Sequence, residues 1–478
     1  MSDTPLADGG IADPVCDPRQ IAEEVEMETE GGTNMASETV APGSNMDAED
    51  SNEDESDEEE VVDLAAIKLL DEKITSSPYN YQAHVDRINL LRKCGEFQSL
   101  SAARHEMKKL FPLTKQLWLE WLEDEQKFVE SEDDHAKLEE LFELSVQDYL
   151  APDIWLEYIQ YSIRNIGTES GVKKLRGLLE RALSSVGLHV LNGSTVWEAY
   201  REIENAVLVT MQPLPGSITT PEQNDRIVQQ TTKVGLLFSR QLAVPLLNME
   251  LTMLEYEEWW KANGDGEIPQ SVLQSYNKAL EQLEELKLLE IALESAEAPK
   301  RAEYTAYIEH EKKSNNPARM QCIYERAITD DCLNAQLWID YLKYLTSTLK
   351  SGPILLATYE RSVRNCPWVG QLWIGLLVTL ERNNAPIDKL EPVLNESLAV
   401  GFSSASEYVD LWKAWCNHIR RRYADSEDRA MSLAAIRSAF NRATSHLTNN
   451  VLTEFGEMGD PDYSLWVYWA QLEAGLSP

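Results

Sequence analysis

Two short basic clusters are the residues of this chain whose types and spacing could contact phosphate groups. They are KKLR at 173–176 and HIRRRY at 418–423. Lysine and arginine side chains bind the phosphates of a nucleic acid when they share one face of a protein. Direct RNA binding is therefore one hypothesis, and a solvated helix end is the alternative. The candidate side chains are Lys173, Lys174, Arg176, Arg420, Arg421 and Arg422.

Catalytic chemistry has no comparable pattern. The sequence contains no GxxxxGK[ST], GxSxG, HExxH or CxxC motif. Glu125, Glu204 and Glu311 fit helix packing better than acid–base catalysis. Structural glutamates must occupy equivalent places in their repeats, whereas catalytic ones need not. We therefore predict no catalytic residue, no cofactor and no metal ligand, and we expect that the chain is not an enzyme.

The charge of the chain is strongly negative and unevenly distributed. The net charge is -38, and residues 1–63 contain 21 acidic residues and one arginine, so the remainder carries about -18. A segment with ten carboxylates in residues 47–60 and no aromatic residue cannot bury enough apolar surface to offset its ordering entropy. We predict that residues 1–63 are a disordered acidic tail, either a solubilising extension or an arm for a basic partner such as histones. The charge of the remainder opposes RNA binding outside the basic clusters.

The cysteines and apolar runs exclude other classes of protein. Six cysteines are scattered without paired spacing, which favours free thiols in a reducing compartment. The N-terminus has no basic region followed by an apolar stretch, and the apolar run at 372–380 is too short to cross a bilayer. We expect a soluble intracellular protein with no membrane partner.

From about residue 64 onward the apolar periodicity is helical. Trp338, Tyr341, Leu342 and Leu345 fall at i, i+3, i+4 and i+7, which is one face of a helix. A pair of large residues three apart recurs nine times, and in the clearest copies a glutamate stands seven residues after the first. The repeat framework is formed by Trp118, Trp121, Trp155, Tyr158, Trp197, Tyr200, Tyr304, Tyr307, Tyr324, Trp338, Tyr341, Tyr359, Trp373, Trp412, Trp415, Trp466 and Trp469.

A second signature follows each of the first eight copies. Its clearest forms are LLERAL at 178–183, IYERAI at 323–328 and TYERSV at 358–363. The small residue, such as Ala182 or Ala327, provides a shallow site for a large ring on the first helix, and the adjacent glutamate–arginine pair lies toward the edge of the buried face. Each unit is therefore predicted to be an antiparallel helical hairpin.

Stacked hairpins of this kind build one continuous core, because a single hairpin cannot cover its own apolar faces. We predict an all-α fold, an α-solenoid of about nine to ten hairpins over residues 64–478, with a degenerate hairpin at 79–111 and the last hairpin incomplete. The insertion at 208–225 is predicted to be a surface loop. A solenoid offers a long surface for proteins or nucleic acids.

The two signatures resemble the half-a-tetratricopeptide (HAT) repeat of RNA-processing proteins over residues 79–476. They lack the Trp-x-x-Leu-Gly start and late proline of the tetratricopeptide repeat. The resemblance implies a tetratricopeptide-like α-solenoid and a role in splicing, pre-mRNA cleavage or ribosomal RNA maturation.

Longer phrases resemble one branch of that family, the spliceosomal factors that recycle U4/U6 small nuclear ribonucleoproteins (snRNPs). The phrases are IWLEY at 154–158, ERALSSVGLH at 180–189, WEAYRE at 197–202, EYEEW at 255–259, YNKALEQLE at 276–284, AEAP at 296–299 and RNCPW at 364–368. This resemblance implies a non-enzymatic scaffold in the nucleoplasm and Cajal bodies, although the chain shows no localisation signal. The implied partners are snRNP proteins, U4/U6 RNA and ubiquitin-specific deubiquitinases, together with a second copy of the chain.

The sequence departs from that branch after its repeats. The branch continues into RNA-recognition motifs, whereas this sequence stops at Pro478, has no RNP1-like stretch and ends on a first-helix signature at 465–473. We expect such an end of a fragment, a truncated isoform or an incomplete gene model. The tryptophans of this last region, Trp412, Trp415, Trp466 and Trp469, are either part of a dimer surface or ordinary repeat core.

Overall fold

A computed structural model describes residues 52–213, 220–348, 352–423, 429–456, 460 and 462–476. Over these ranges the chain is helical and contains no strand, which confirms the predicted all-α class. The chain divides into two compact units, Met1–Leu64 and Ala65–Pro478.

The first helix begins within the segment predicted to be an acidic tail. Helix α1 runs from Asn52 to Ser76. The disorder of residues 1–63 stays a prediction. Residues 1–51 lie outside the described residues.

The helices that follow form nine consecutive hairpins within the described ranges. Their bounds are α2 Tyr81–Lys93 and α3 Phe97–Leu110; α4 Lys115–Gln126 and α5 Glu132–Ser145; α6 Pro152–Ser162 and α7 Glu169–Val186; α8 Gly193–Met211 and α9 Pro221–Gln241; α10 Met249–Asn263 and α11 Gln270–Ser295; α12 Arg301–Ser314 and α13 Pro317–Asp330; α14 Ala335–Thr348 and α15 Gly352–Asn365; α16 Gly370–Arg382 and α17 Ile387–Val400; α18 Ala405–Arg422 and α19 Arg429–His446. A π-helical turn at Leu447–Val451 and the short α20, Leu452–Phe455, then lead to α21, Ser464–Leu476.

Short polar connections end one helix and begin the next. Asn315 ends α12 in the left-handed conformation, with φ 51°, which asparagine tolerates better than most residues. The side chain of Asn316 then accepts hydrogen bonds from the backbone N–H groups of Ala318 and Arg319, and Pro317 takes the first helical position. Two residues are therefore enough to reverse the chain between α12 and α13.

The predicted surface loop at 208–225 is helical at both of its ends. Helix α8 continues to Met211, and α9 begins at Pro221 behind a capping box in which Thr220 and Gln223 bond each other's backbone. Only residues 212–220 connect the two helices, and 214–219 lie outside the described residues. The loop prediction is wrong at both ends because it gave no weight to this capping pattern.

The aromatic framework lies in the core with three exceptions. Of the seventeen predicted framework residues, fourteen are buried; Tyr359 and Trp469 are half-buried, and Trp466 is 42% exposed. Ala182 and Ala327, the predicted small residues, are fully buried. Trp412 and Trp415 lie inside the ninth hairpin, so they belong to the repeat core and are not available to a dimer surface.

The buried apolar residues form three clusters along the chain. One extends from α2 to α9, a small one joins α9, α10 and the start of α11, and the third extends from α10 to α21. The core therefore changes character around the fifth hairpin, α10–α11.

Candidate interaction surface

Arg176 of the first basic cluster is engaged within the protein. From α7 it donates two hydrogen bonds to the carboxylate of Glu204 on α8, each 2.6 Å long, and one to Gln230 on α9 at 3.1 Å. Burial by itself raises the pKa of Glu204, but the hydrogen bonds from Arg176 and Gln230 lower it below its ordinary value. Lys173 and Lys174 are exposed on α7 and remain open to a ligand.

The second basic cluster lies at the end of α18, six hairpins further along the chain. Arg421 donates two hydrogen bonds of 2.7 Å to the carboxylate of Glu381 on α16. Arg420 is half-buried and Arg422 is exposed. The two clusters therefore stand on separate hairpins, and one arginine of each is paired with a glutamate.

The glutamate–arginine pair of the second helices joins successive hairpins. Arg361 on α15 donates hydrogen bonds of 2.6 and 2.9 Å to the carboxylate of Glu325 on α13, and Tyr341 on α14 donates another at 2.8 Å. The guanidinium of Arg361 also lies 5.5 Å from the ring centre of Trp338 on α14. We call this arrangement the inter-hairpin cluster: the glutamate of one hairpin with the arginine and aromatic residues of the next.

The inter-hairpin cluster recurs along the array. Glu143 on α5 accepts bonds of 2.7 and 2.5 Å from Arg181 on α7 and one of 2.8 Å from Tyr158, while Arg181 lies 5.7 Å from the ring centre of Trp155. Further members are Glu180 with Arg240 and Trp197, Glu290 with Arg326 and Tyr307, and Glu391 and Asn395 with Arg442 and Trp412. The regular spacing of the two signatures indicated that glutamate and arginine recur along the array. It did not show which glutamate binds which arginine.

The junction between the fourth and fifth hairpins interrupts the pattern. At the glutamate position of α9 stands Ser239, whose hydroxyl donates to the carbonyl of Gly235 in its own helix at 2.9 Å. At the arginine position of α11 stands Lys278, which is exposed. Neither residue can form the bidentate arginine–carboxylate pair seen elsewhere.

The three glutamates weighed as catalytic candidates all bind residues of the repeats. Glu125 accepts a hydrogen bond of 3.0 Å from the indole N–H of Trp121. Glu311 accepts one of 3.1 Å from Arg319, and Glu204 is held by Arg176. Each stands seven residues after the first aromatic residue of its hairpin, as a packing role requires.

Asp148 joins distant hairpins. This buried carboxylate, in the connection between α5 and α6, accepts hydrogen bonds from the indole of Trp118 at 2.8 Å and the amide of Leu113 at 2.9 Å. Arg364, at the end of α15, donates to it at 3.0 Å and also to the carbonyls of Lys108 and Phe111 at the end of α3. The first and second hairpins therefore contact the seventh, and a cavity of about 390 Å³ lies beside this contact.

A groove runs between the first helices α12 and α14. Its volume is about 680 Å³, and its walls include Tyr304, Tyr324 and Tyr344 together with Lys312 and Lys343. Both lysines are paired with acidic residues of their own helices, Lys312 with Glu309 and Lys343 with Asp340. The aromatic floor and mixed charges suit an extended segment of a protein partner.

Metal sites, membrane-spanning helices and cysteines are the remaining features of the described ranges. No group of three or more histidine, cysteine, aspartate or glutamate side chains there is arranged to hold a metal ion. None of the helices in those ranges is long and apolar enough to cross a membrane. Within this part of the chain, Cys322, Cys332, Cys366 and Cys416 are free thiols.

Comparison with known proteins agrees with this architecture. Residues 68–212 match the family described as PRP39 N-terminal HAT repeat. This match, together with the helical hairpins and the recurring aromatic and Glu-Arg signatures, confirms the predicted resemblance to the HAT-repeat proteins.

The relatives described below share one name within this class of repeat proteins. Over 410 residues the chain is 43% identical to the human protein named "Spliceosome associated factor 3, U4/U6 recycling protein" and 41% identical to its zebrafish (Danio rerio) counterpart, covering 86% of this chain. The Caenorhabditis elegans protein of the same name is 26% identical over 336 residues, which are 70% of this chain and 39% of that protein. The predicted resemblance to U4/U6 recycling factors is confirmed. The chain spans 40% of the human relative and 43% of the zebrafish one.

Solved structures also resemble the chain, CstF-77 among them. The crystal structure of CstF-77 aligns with 77% of this chain and 90% of its own, at 11% identity and a TM-score of 0.35. That similarity is too low to support conclusions on shape or function.

Proposed function

We propose that the chain is a non-enzymatic HAT-repeat scaffold in pre-mRNA splicing that supports reassembly of U4/U6 snRNPs in the nucleus. The supporting observation is 43% identity over 86% of the chain to a protein named as a U4/U6 recycling factor. The described glutamates and arginines of the inter-hairpin clusters bind one another and stabilise the repeat array. This structural role is consistent with a scaffold function. The protein partners are snRNP proteins, and the finer location is the nucleoplasm and Cajal bodies.

We further propose that the groove between α12 and α14 docks protein partners, with ubiquitin-specific deubiquitinases as the first candidates. Tyrosine rings are favourable contacts at protein interfaces, and the lysines at the rim of the groove can attract a partner of complementary charge. The groove lies on neighbouring first helices, so a partner segment could follow the array from one hairpin to the next.

Binding of purified partners tests the scaffold proposal. The chain would be titrated with the N-terminal domains of a deubiquitinase and with purified U4/U6 snRNP proteins. The variant Lys312→Glu/Lys343→Glu reverses charge in the groove and should weaken a groove partner by about tenfold, or 1.4 kcal/mol. The control variant Lys137→Glu alters a lysine that is likewise paired with an aspartate three residues away on an exposed helix face. Equal weakening by both variants would reject the groove.

Direct RNA binding is the second candidate function. Exposed Lys173 and Lys174 favour it, while the pairing of Arg176 and Arg421 with glutamates reduces the available positive charge. Labelled U4 and U6 RNA would be titrated with the purified chain across a salt series. Affinity that falls steeply with salt, and is lost in Lys173→Ala/Lys174→Ala, would assign RNA binding to the repeats. Binding of the protein ligands alone would leave the chain as an adaptor.

Two further partner proposals concern the ends of the chain. The acidic residues 1–63 are proposed to bind basic segments such as histone tails, by charge alone. A homodimer is proposed through α21, because Trp466 and Val467 of this helix are exposed. Sedimentation of the chain and of a Trp466→Gln variant tests the second proposal.

A further inference from the structure

The fifth hairpin carries exposed aliphatic side chains on both of its helices. Leu251 and Leu254 on α10 are 60% and 57% exposed, and Leu288 and Ile291 on α11 are 71% and 60% exposed. Single exposed apolar residues are common on proteins, but a group of large aliphatic residues on one hairpin marks an interaction site.

The two pairs of residues lie on adjoining parts of the hairpin. Each pair has a spacing of three residues, which places its members on one helix face. An ion pair of 3.8 Å between Glu250 and Lys287 joins the residue before Leu251 to the residue before Leu288. The opposite face of α11, with Leu283, Leu286 and Leu293, is buried, so Leu288 and Ile291 turn away from the core.

Negative charge surrounds these side chains. Residues 249–298 contain twelve acidic and three basic residues, and their net charge of -9 is half of the -18 found outside the acidic tail. Glu284 and Glu285, which precede Leu288 by four and three residues on the same side of α11, are 65% and 70% exposed. On α10, Glu255 is 56% exposed next to Leu254.

The charge decides between possible occupants. A second copy of the same hairpin would bring like charges together, and a nucleic acid would be repelled. A helix with a lysine- or arginine-rich side and an apolar side satisfies both features, because its apolar face covers the leucines while its cations meet the glutamates. We propose that hairpin α10–α11 docks a basic amphipathic helix of a partner protein. This inference rests on the proposed scaffold function and names a surface distinct from the groove.

A helical probe of defined composition tests the proposal. A labelled peptide of about 18 residues, five turns of leucine and lysine arranged with one apolar face, is titrated with the whole chain by fluorescence anisotropy. A peptide of the same composition in shuffled order, without an apolar face, is the matched ligand control. We expect the amphipathic peptide to bind at least about tenfold more tightly than the shuffled one.

Variants locate the binding site. The variant Leu251→Gln/Leu254→Gln/Leu288→Gln/Ile291→Gln should weaken binding of the amphipathic peptide by at least about tenfold. Leu69→Gln/Leu333→Gln, which changes two leucines with 54% and 52% exposure elsewhere, should leave it unchanged. Because all six side chains are exposed, neither variant creates a cavity, and circular dichroism and urea unfolding check that both remain folded. Glu284→Lys/Glu285→Lys should also weaken binding, through charge alone.

Two results would overturn the proposal. Equal binding of the peptide by the wild-type chain and the four-residue variant would mean that bulk negative charge captures the probe without a site. Self-association that is abolished by the same variant, measured by sedimentation velocity, would assign the surface to a second copy. Neither result affects binding of deubiquitinase domains or snRNP proteins at the groove, so this inference and the scaffold proposal fail separately.

Discussion

The junction between the sixth and seventh hairpins and the junction between the fourth and fifth use the same motif positions with different residues. At the former, Glu325, Arg361 and Tyr341 form a hydrogen-bonded cluster in which the acid and the guanidinium are largely buried. At the latter, Ser239 and Lys278 occupy the corresponding positions, and the apolar core there separates into a small cluster of its own. The fold is retained across both junctions, but the polar connection between hairpins depends on two residues.

The difference shows that the two signatures have separable roles. The aromatic pairs and small residues determine that a hairpin forms, since Tyr256 and Ala279 are buried at the fifth hairpin as at the others. The glutamate–arginine pair determines how firmly one hairpin is joined to the next. The fifth hairpin lacks the pair at its junction with the fourth, and the exposed leucines lie on this hairpin.

Removing the buried Arg361 should have the largest effect on the unfolding free energy. Arg361→Ala leaves the carboxylate of Glu325 with Tyr341 as its remaining partner in the inter-hairpin cluster, and a buried charge that loses its partner costs about 3–5 kcal/mol of unfolding free energy. Arg240→Ala is the matched control at the same motif position, where both Arg240 and Glu180 are 46% exposed, and should cost no more than about 1 kcal/mol. Urea unfolding followed by circular dichroism measures both. Similar losses would show that burial does not set the strength of the clusters.

Acidification should lower the stability of the protein through the buried side chain of His189. His189, in the connection from α7 to α8, faces Arg326 and Glu290, and its Nδ1 accepts a hydrogen bond from the amide of Asn192. Burial, together with the charge of Arg326, lowers its pKa to about 4 from an ordinary 6.5. The unfolded chain therefore binds the proton more readily, and stability falls as the pH drops from about 6.5 toward 4.

The expected loss from His189 is about 2 kcal/mol of unfolding free energy between pH 7.5 and pH 5. Urea unfolding at several pH values measures it, with His189→Gln as the comparison because glutamine does not titrate. His418 and His446 also have lowered pKa values because of burial, so the variant should retain a smaller pH dependence. An unchanged slope in His189→Gln would refute this assignment.

Restoring the missing pair should raise the unfolding free energy by a smaller amount. Ser239→Glu combined with Lys278→Arg recreates the motif residues at the fourth and fifth hairpins, and a new half-exposed pair contributes up to about 1 kcal/mol. Tyr256 occupies the motif position of Tyr341, and we expect it to donate a hydrogen bond to the new carboxylate. A double-mutant cycle by urea unfolding tests for coupling. Additive single effects would mean that the two positions do not meet.

The smallest effect is expected at the exposed lysines. Lys173→Ala/Lys174→Ala should change the unfolding free energy by no more than about 0.5 kcal/mol, because surface substitutions away from structural contacts have little effect. Arg176→Ala, in the same short cluster, should cost several times more because it strands the buried carboxylate of Glu204. Thermal and urea unfolding of both variants would distinguish a structural arginine from solvated lysines.

The helices and hairpins could be predicted from the sequence because their residue pattern repeats over a few positions. Aromatic residues three apart predicted the helices and the burial of residues such as Trp118 and Trp338, and the motif order predicted the hairpins. Trp466 was predicted within the framework but is largely exposed, since its helix packs against only the preceding hairpin of the described chain. The capping box at Thr220 was readable in the sequence but was outweighed by the prolines and glycine before it.

Partners of charged side chains were harder to predict because they come from another hairpin. Arg176 reads as part of a basic cluster, although its carboxylate is 28 residues away. A regularity was available: Arg437 binds Glu473 at the end of the array, and both arginines stand three residues before the second-helix aromatic or apolar position. The contact of Asp148 with Arg364 has no such period, so no local pattern could indicate it.

That contact has a consequence for how the chain reaches its native state. In an ideal repeat array each unit touches only its neighbours, so stability adds up along the chain and folding spreads from any point. Here 216 residues separate Asp148 from Arg364, and a ribosome adding about 5–20 residues per second needs roughly 10–40 s to supply them. During translation the early hairpins therefore form before Arg364 is available, and Asp148 then lacks the hydrogen bond from this arginine. The finished protein should then unfold cooperatively across these hairpins rather than fray from its N-terminal end.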